Sequence, residues 1–198
     1  MKRSLTELLL LSVGLGAFAA CSAPPASHPL EDHPEAAIVA DWNDLVLRAA
    51  IEEDGLLTLQ GVRAAAIMHL AIHDALNAID SRFETYLEPL ASTRADPLAA
   101  VASAAHEIAV TQFPERRDEI DALRDEWLES AGPSGRDSGA ELGRAVAERH
   151  LAHREGDGWD NEAEYQWHPM GPGVYAEFSD HSGTPDGFVF GSGWATSK

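Results

Sequence analysis

The sequence predicts an all-α protein: a helical bundle of about five helices, followed by a long irregular segment rich in aromatic residues. Three observations predict this class. Apolar residues recur at helical spacing in five stretches between residues 41 and 154, and no stretch alternates apolar and polar residues with the period of a strand. From residue 155 onward, Gly, Pro and Asp interrupt every helical pattern. The short connections between the five stretches favour a bundle.

The first two helices are predicted from their start signals and their apolar faces. Asp41 is the expected N-cap of a helix that runs to about Glu53, and Thr58 opens a second helix that runs to about Ile79. This second helix is apolar all round and rich in alanine. We therefore expect it to be the central, buried helix of the bundle.

Three further helices follow. Asp96 and Pro97 form a strong start signal, with Asp as N-cap and Pro at the first helical position, for a helix that ends near Phe113. An amphipathic helix is expected over residues 115–130, and a fifth over about 137–154. The Gly-Pro-Ser-Gly sequence at 132–135 separates these two as a turn.

The last 44 residues, from 155 to 198, carry most of the aromatic side chains of the chain. The eight are Trp159, Tyr165, Trp167, Tyr175, Phe178, Phe188, Phe190 and Trp194. Aromatic rings bury large areas when they pack, so this segment is expected to wrap over helices. We expect some of those helices to lie beyond residue 198, in a domain that continues past this chain.

The N-terminus has the features of an export signal. Lys2 and Arg3 precede an uncharged, mostly apolar run from Leu8 to Ala20, which is too short to span a membrane. Residues 1–20 are therefore predicted to be a signal peptide. The Phe-Ala-Ala-Cys sequence ending at Cys21 resembles a bacterial lipobox, although the residue three before the cysteine is usually a smaller aliphatic. Lipidation of Cys21 is the favoured prediction, and plain cleavage after the Ala-Phe-Ala sequence at 17–19 is the alternative.

The rest of the N-terminal region and the charge limit location and partners. Residues 22–35 are rich in Pro and charge, and residues 21–40 are predicted to form a flexible tether to a domain over 41–198. The expected location is periplasmic or cell-surface, with membrane contact only through the lipid anchor. The formal net charge is −19, which repels phosphate backbones and makes nucleic acid a poor partner.

Histidines supply the first candidate site. His69 and His73 lie four residues apart on one helix face, with Asp74 adjacent, which is the spacing of a metal half-site. The zinc-protease pattern requires Glu after the first histidine, and Leu70 stands there. Hydrogen-bonded core histidines are therefore the favoured interpretation, and no metal is predicted. The same interpretation, buried-polar or surface residues, is favoured for the weaker candidates: His106, Glu107, His150 and His153.

Three other patterns contain residue types that occur in catalytic or ligand-binding sites. Ser134 lies in a turn with no preceding strand, which excludes a phosphate loop or a nucleophile elbow. The adjacent His181 and Ser182 have no third group at a triad spacing. Trp159 and Trp167 in the aromatic segment raise the alternative of a non-enzymatic surface lipoprotein that stacks on a ligand such as a sugar ring.

Three stretches together resemble a known family. Residues 61–75 (Gly-Val-Arg-Ala-Ala-Ala-Ile-Met-His-Leu-Ala-Ile-His-Asp-Ala) resemble the R-x-x-A-M-x-H-x-A-x-x-D-A helix of secreted bacterial vanadium-dependent haloperoxidases, which belong to the superfamily of type 2 phosphatidic acid phosphatases. Here Ala66-Ile67 precedes Met68, a mild departure. Residues 99–114 are similar to the family's A-A-x-x-A-A-H helix ending in Pro. Residues 139–158, with a Pro-Gly-x-Tyr sequence at 172–175 and Gly193-Trp194, are similar to its G-x-x-x-G-x-x-x-A, R-x-x-D-G and P-G-x-W run.

The resemblance implies the N-terminal half of a two-bundle helical fold about twice this length. In the family, vanadate is held by Lys, Arg and His residues of second-half motifs, and the activity is peroxide-dependent oxidation of halide. None of those motifs matches here: Arg136 follows Pro-Ser-Gly where the family has His, and Lys198 ends the sequence. No catalytic, cofactor-binding or metal residue is therefore carried over, and the chain alone is expected to be inactive. Its implied partner is the missing C-terminal half, with vanadate bound there. Acid phosphatase activity on the same scaffold is the enzymatic alternative.

Overall fold

A computed structural model describes residues 34–54, 59–90, 94–163, 165–166, 168, 171–173 and 191–197. The five helices are α1 (Pro34–Asp54), α2 (Leu59–Ile79), α3 (Pro97–Gln112), α4 (Arg117–Ser130) and α5 (Arg136–Arg154). Short 3₁₀ helices cover Pro114–Arg116 and Ser192–Thr196. No strand occurs in these ranges, so the predicted all-α class and the number of helices are confirmed.

The central helix of the bundle is α3, and not α2 as predicted. Helix α3 contacts all four other helices, and it is buried continuously from Ala99 to His106 and again from Ile108 to Val110. By contrast, α2 leaves one side in solvent, where Val62 is 46% exposed. An apolar composition all round does not reveal whether a helix is covered on every side. That depends on how many neighbours the fold supplies.

Two glycines bring the backbones of α3 and α5 together. A Cβ atom at Gly143 would lie 2.1 Å from the carbonyl oxygen of Ala100 and 2.8 Å from the backbone nitrogen of Ala104. One turn earlier, a Cβ atom at Gly139 would lie 2.5 Å from the carbonyl oxygen of Asp96. Only glycine fits where another backbone approaches this closely. We call the contact of Gly139 and Gly143 with α3 the α3–α5 seam. The four-residue spacing places both glycines on the same face of α5, so both can pack on α3.

The predicted cap of α3 is confirmed. Asp96 Oδ1 accepts a hydrogen bond from the backbone N–H of Ala99 at 3.0 Å, and Pro97 occupies the first turn. Asp96 Oδ2 also accepts from the N–H of Gly132, in the turn between α4 and α5. One carboxylate thus starts α3 and ties it to that turn.

Helix α1 begins earlier than predicted. It starts at Pro34 rather than after Asp41, so the last residues of the predicted tether are helical. Ile38 and Trp42 are fully buried, which explains why the helix extends back: the earlier turn carries an apolar anchor. The predicted signal peptide and Cys21 lie outside the described residues. Within the described part of the chain, no helix combines the length and the apolar character needed to cross a membrane.

Candidate functional site

The first buried polar group joins α2 to the segment after α5. Arg63 Nη2 donates to Asp157 Oδ2 at 2.8 Å, and the two side chains are 12% and 5% exposed. The same guanidinium lies 5.0 Å from the ring centre of Trp159 and also reaches the carbonyl oxygen of Arg154 at 3.3 Å. A buried carboxylate is tolerated only when it is paired and hydrogen-bonded, and this arrangement supplies both conditions.

The environment of Asp157 keeps this carboxyl ionised. Burial by itself acts to raise its pKa. The hydrogen bond from Arg63, the backbone N–H of Trp159 and the positive charges of Arg63 and Arg154 outweigh burial, and the net pKa lies below its ordinary value. The group is therefore an ion pair at neutral pH, with its charges directed at each other.

The second buried polar group centres on Asp74, in the middle of α2. Its Oδ2 atom lies 2.9 Å from Nε2 of His150 on α5, and both side chains are almost completely buried. The same carboxylate accepts the backbone N–H groups of Tyr86 at 2.9 Å and Leu87 at 3.1 Å. Asp74 therefore connects α2, α5 and the segment 80–90, which follows α2 and has no regular secondary structure.

Burial decides the charge of His150. Loss of hydration lowers its pKa, and the positive charges of His153 and Arg154 act in the same direction. The hydrogen bond and the negative charge of Asp74 oppose this, but the net pKa lies below the ordinary histidine value of 6.5. The imidazole is consequently neutral at pH 7, and its Nε2–H donates a hydrogen bond to Asp74 Oδ2.

The His69 and His73 side chains do not form the metal half-site that their spacing offered. His69 Nε2 lies 3.1 Å from Asn43 Oδ1 on α1, whereas His73 Nε2 lies 2.9 Å from the carbonyl oxygen of Glu84. Each imidazole is thus hydrogen-bonded to a different element. His69 is exposed, so only part of the core-histidine interpretation holds for it. In the part of the chain that the structure describes, no three His, Cys, Asp or Glu side chains are grouped as metal ligands.

His106 is buried between α3 and α4 and has its own carboxylate partner. Its Nε2 atom lies 2.6 Å from Asp121 Oδ1, and Arg124 and Glu107 are also adjacent. The hydrogen bond with His106 lowers the pKa of Asp121. Partial burial opposes the shift, and the charges of His106, Arg124 and Arg117 add to it. This cluster joins two helices, in line with the buried-polar interpretation.

The remaining sequence candidates have simple structural positions. Ser134 is exposed in the turn between α4 and α5, where Gly135 has a φ of 103° that favours glycine. His153 is exposed on α5. His181, Ser182 and Trp167 lie outside the described residues.

An exposed apolar stripe runs along α2. We call it the outer face of α2; it consists of Val62, Ala66, His69, Leu70, His73 and Leu76, all exposed or half-exposed. The stripe is about 21 Å long at 1.5 Å per residue. At one end it forms a groove with Trp159 and Trp194, and at the other end the rings of Phe83 and Tyr86 are 69% and 65% exposed. Leu76 is itself 36% exposed, so the apolar surface continues to the end of the helix.

Sequence reasoning missed the partners rather than the residues. The sequence indicates Asp74, His106 and His150 as candidates. It does not indicate that Asp74 pairs with His150, or that His106 pairs with Asp121. One signal was present: Asp74 is a carboxylate in an otherwise apolar stretch of α2, and a carboxylate there requires a buried partner. The sequence could not say which of the nine histidines supplied it.

The fold defines an all-α helical bundle whose helices pack around an apolar core and are also joined by buried charged and hydrogen-bonded side chains. Comparison with protein-family models, with curated proteins and with solved structures finds no match to this chain.

Proposed function

We propose that this chain forms the N-terminal helical half of an exported protein similar to vanadium-dependent haloperoxidases. In this proposal a C-terminal half supplies the residues that bind vanadate, and the two halves together oxidise halide with hydrogen peroxide. The present chain contributes the scaffold on which the second half docks.

The observation that carries the proposal is the contact between the stretches that bear the resemblance. Arg63, in the first stretch, pairs with Asp157, in the third, at 2.8 Å. Gly143, also in the third stretch, packs on the backbone at Ala104, in the second. A residue that must meet a defined partner across the fold is hard to replace. Contacts of this kind between the three stretches support the proposal that the resemblance reflects a common scaffold.

The outer face of α2 supports a docking role. Large apolar groups along a helix are usually covered by a neighbouring element, because each buried side chain contributes about 1.5–3 kcal/mol. Exposed apolar patches of this kind mark surfaces for interaction. A second helical bundle fits the elongated shape of the stripe better than a small ligand does.

The charges of the described residues support assigning the oxyanion to the other half. Arg63 and Arg124 face carboxylates at 2.8 Å, so their charges are largely neutralised. The net charge of −19 also repels vanadate and phosphate. An anion site requires several converging positive groups, and the proposal places them in the second half.

The first test is genetic and biochemical. The coding sequence downstream of residue 198 is read for P-S-G-H and S-R-x5-H motifs, and a downstream segment carrying them is expressed with this chain. Vanadate-dependent bromination is then measured for each piece and for the mixture. Activity in the mixture alone supports the proposal, and phosphate-ester hydrolysis without bromination would favour the acid phosphatase alternative. Bromination by the purified 198-residue chain alone would overturn it.

Docking is tested with a matched pair of variants. Val62→Asp places a charge on the outer face of α2 and is expected to abolish association with the second half, measured by analytical ultracentrifugation. Glu141→Lys, on the exposed side of α5, is the control and should leave association intact. Equal effects of the two variants would place the docking surface elsewhere.

Export and lipidation form a separate part of the proposal. Mass spectrometry of the mature protein is expected to find a lipidated Cys21 as the first residue. A free N-terminus at another residue would remove the lipid anchor and leave the helical assignment untouched.

A further inference from the structure

The segment 80–90 is fastened to the bundle by side chains instead of by secondary structure. Asp74 holds the backbone N–H groups of Tyr86 and Leu87, and Asn77 Oδ1 accepts those of Arg82 at 3.2 Å and Phe83 at 2.9 Å. Further bonds join His73 to the carbonyl of Glu84 and Arg149 to that of Glu88. The rings of His73 and Tyr86 also meet in a T-shaped contact, with ring centres 5.4 Å apart.

Asp74 and His150 form the part of this attachment that is most deeply buried. The adjoining cavity has a volume of about 10 Å³, room for about one water molecule. Leu87, Leu90 and Val146 line it together with the pair. An imidazolium at this position would have room for about one water molecule, so its poor hydration favours movement of a protonated His150 toward solvent.

The charges around His150 come from every element packed against it. Asp74 is the negative partner on α2, and Glu88 of the segment 80–90 lines the same cavity. On α5 itself the neighbours are Arg149, His153 and Arg154. Helix α3 has two titratable groups, His106 and Glu107, and His106 is directed to Asp121 of α4. On α5 the positive charges of His153 and Arg154 disfavour an additional positive charge at His150.

We propose that the Asp74–His150 pair is an acid-released clamp on the segment 80–90, closed while the imidazole is neutral and opened when it is protonated. The closed state binds the proton more weakly than the open state, where His150 regains its ordinary pKa of 6.5. By linkage, the closed state is fully stable above pH 6.5 and loses stability as the pH falls below it. In the open state the hydrogen bonds from the Tyr86 and Leu87 amides to Asp74 are broken. The exposed rings of Phe83 and Tyr86 then change position. The clamp is independent of the proposed enzymatic role.

Amide hydrogen exchange of the 198-residue chain tests the clamp. The protection factors of the Tyr86 and Leu87 amides, corrected for intrinsic exchange, are expected to fall up to about tenfold between pH 7.5 and 5.5. The Ala105 amide in the centre of α3 is the internal control and should keep its protection. The matched variant is His150→Gln, which retains an N–H donor for Asp74 and cannot titrate in this range.

Each outcome of these experiments either supports or overturns the clamp. A fall in wild type that disappears in His150→Gln supports the clamp. Unchanged protection in wild type, or an equal fall in the variant, overturns it. If the variant does not fold, NMR titration of the His150 ring in wild type decides instead: a pKa below 6.5 that coincides with the loss of protection supports the clamp, and a pKa at or above 6.5 overturns it.

Discussion

The α3–α5 seam, where two glycines pack on the backbone of α3, and the outer face of α2, where apolar side chains and two histidines are reached by solvent, have opposite environments. At the seam, Gly143 lets two backbones meet with no room for a methyl group. On the outer face, Val62 and Leu76 point into solvent. The comparison shows that an apolar helix surface is buried only where the fold places another helix against it. The seam lies inside the bundle, and the outer face is the surface that the proposal assigns to a partner.

The largest expected effect lies beside the outer face, at the pair that fastens α2 to the segment after α5. Arg63→Met leaves the Asp157 carboxylate buried without its partner and should lower the free energy of unfolding by about 3 kcal/mol. Urea denaturation at pH 7 measures this. The matched control is Arg144→Met, since the exposed Arg144–Glu148 pair contributes less than about 0.5 kcal/mol.

The pH dependence of that loss checks its cause. The pKa of Asp157 is lowered in the folded state, so the contribution of the pair is present above the ordinary value of 3.8 and disappears as the pH falls below it. The difference between wild type and Arg63→Met should therefore shrink toward pH 3. A difference that is constant with pH would mean that packing of Arg63 on Trp159, and not the ion pair, causes the loss.

The next effect tests the seam. Helix propensity alone makes Gly143→Ala favourable by about 1 kcal/mol. The added methyl group would meet the Ala100 carbonyl, however, and overpacking of this kind costs about 1–3 kcal/mol. We expect a net loss of up to about 2 kcal/mol in thermal or urea unfolding, because both neighbours are backbone atoms and cannot rotate away. A more stable variant would show that α5 can move off α3 freely.

The smallest effect compares the two environments directly with one substitution. Val46→Ala removes two methyl groups from a fully buried position on α1 and should cost about 1.5 kcal/mol. Val62→Ala makes the same chemical change on the outer face of α2 and should change stability by less than about 0.5 kcal/mol. Equal losses would mean that the outer face is already covered within this chain.

Sequence reasoning succeeded where the signal is local. Asp96 and Pro97 start a helix through their own side chains, and the predicted end of α5 at Arg154 is the observed one. Such signals depend on neighbouring residues alone, so the number and order of the helices could be predicted.

It failed where the answer depends on distant residues. Helices α2 and α3 are both apolar and alanine-rich, and only the tertiary arrangement makes α3 the central one. The sequence predicts a tether up to residue 40. In the structure α1 already begins at Pro34, because burial of Ile38 stabilises the additional turns. Asp74 and His150 are 76 residues apart, so no local sequence pattern predicts their contact.

Vanadium NMR of the 198-residue chain titrated into orthovanadate tests the central claim, that this chain is a scaffold whose oxyanion site lies in another half. The account predicts that the free-vanadate signals keep their positions and widths at every protein concentration. A saturable, stoichiometric bound signal from the chain alone would contradict it.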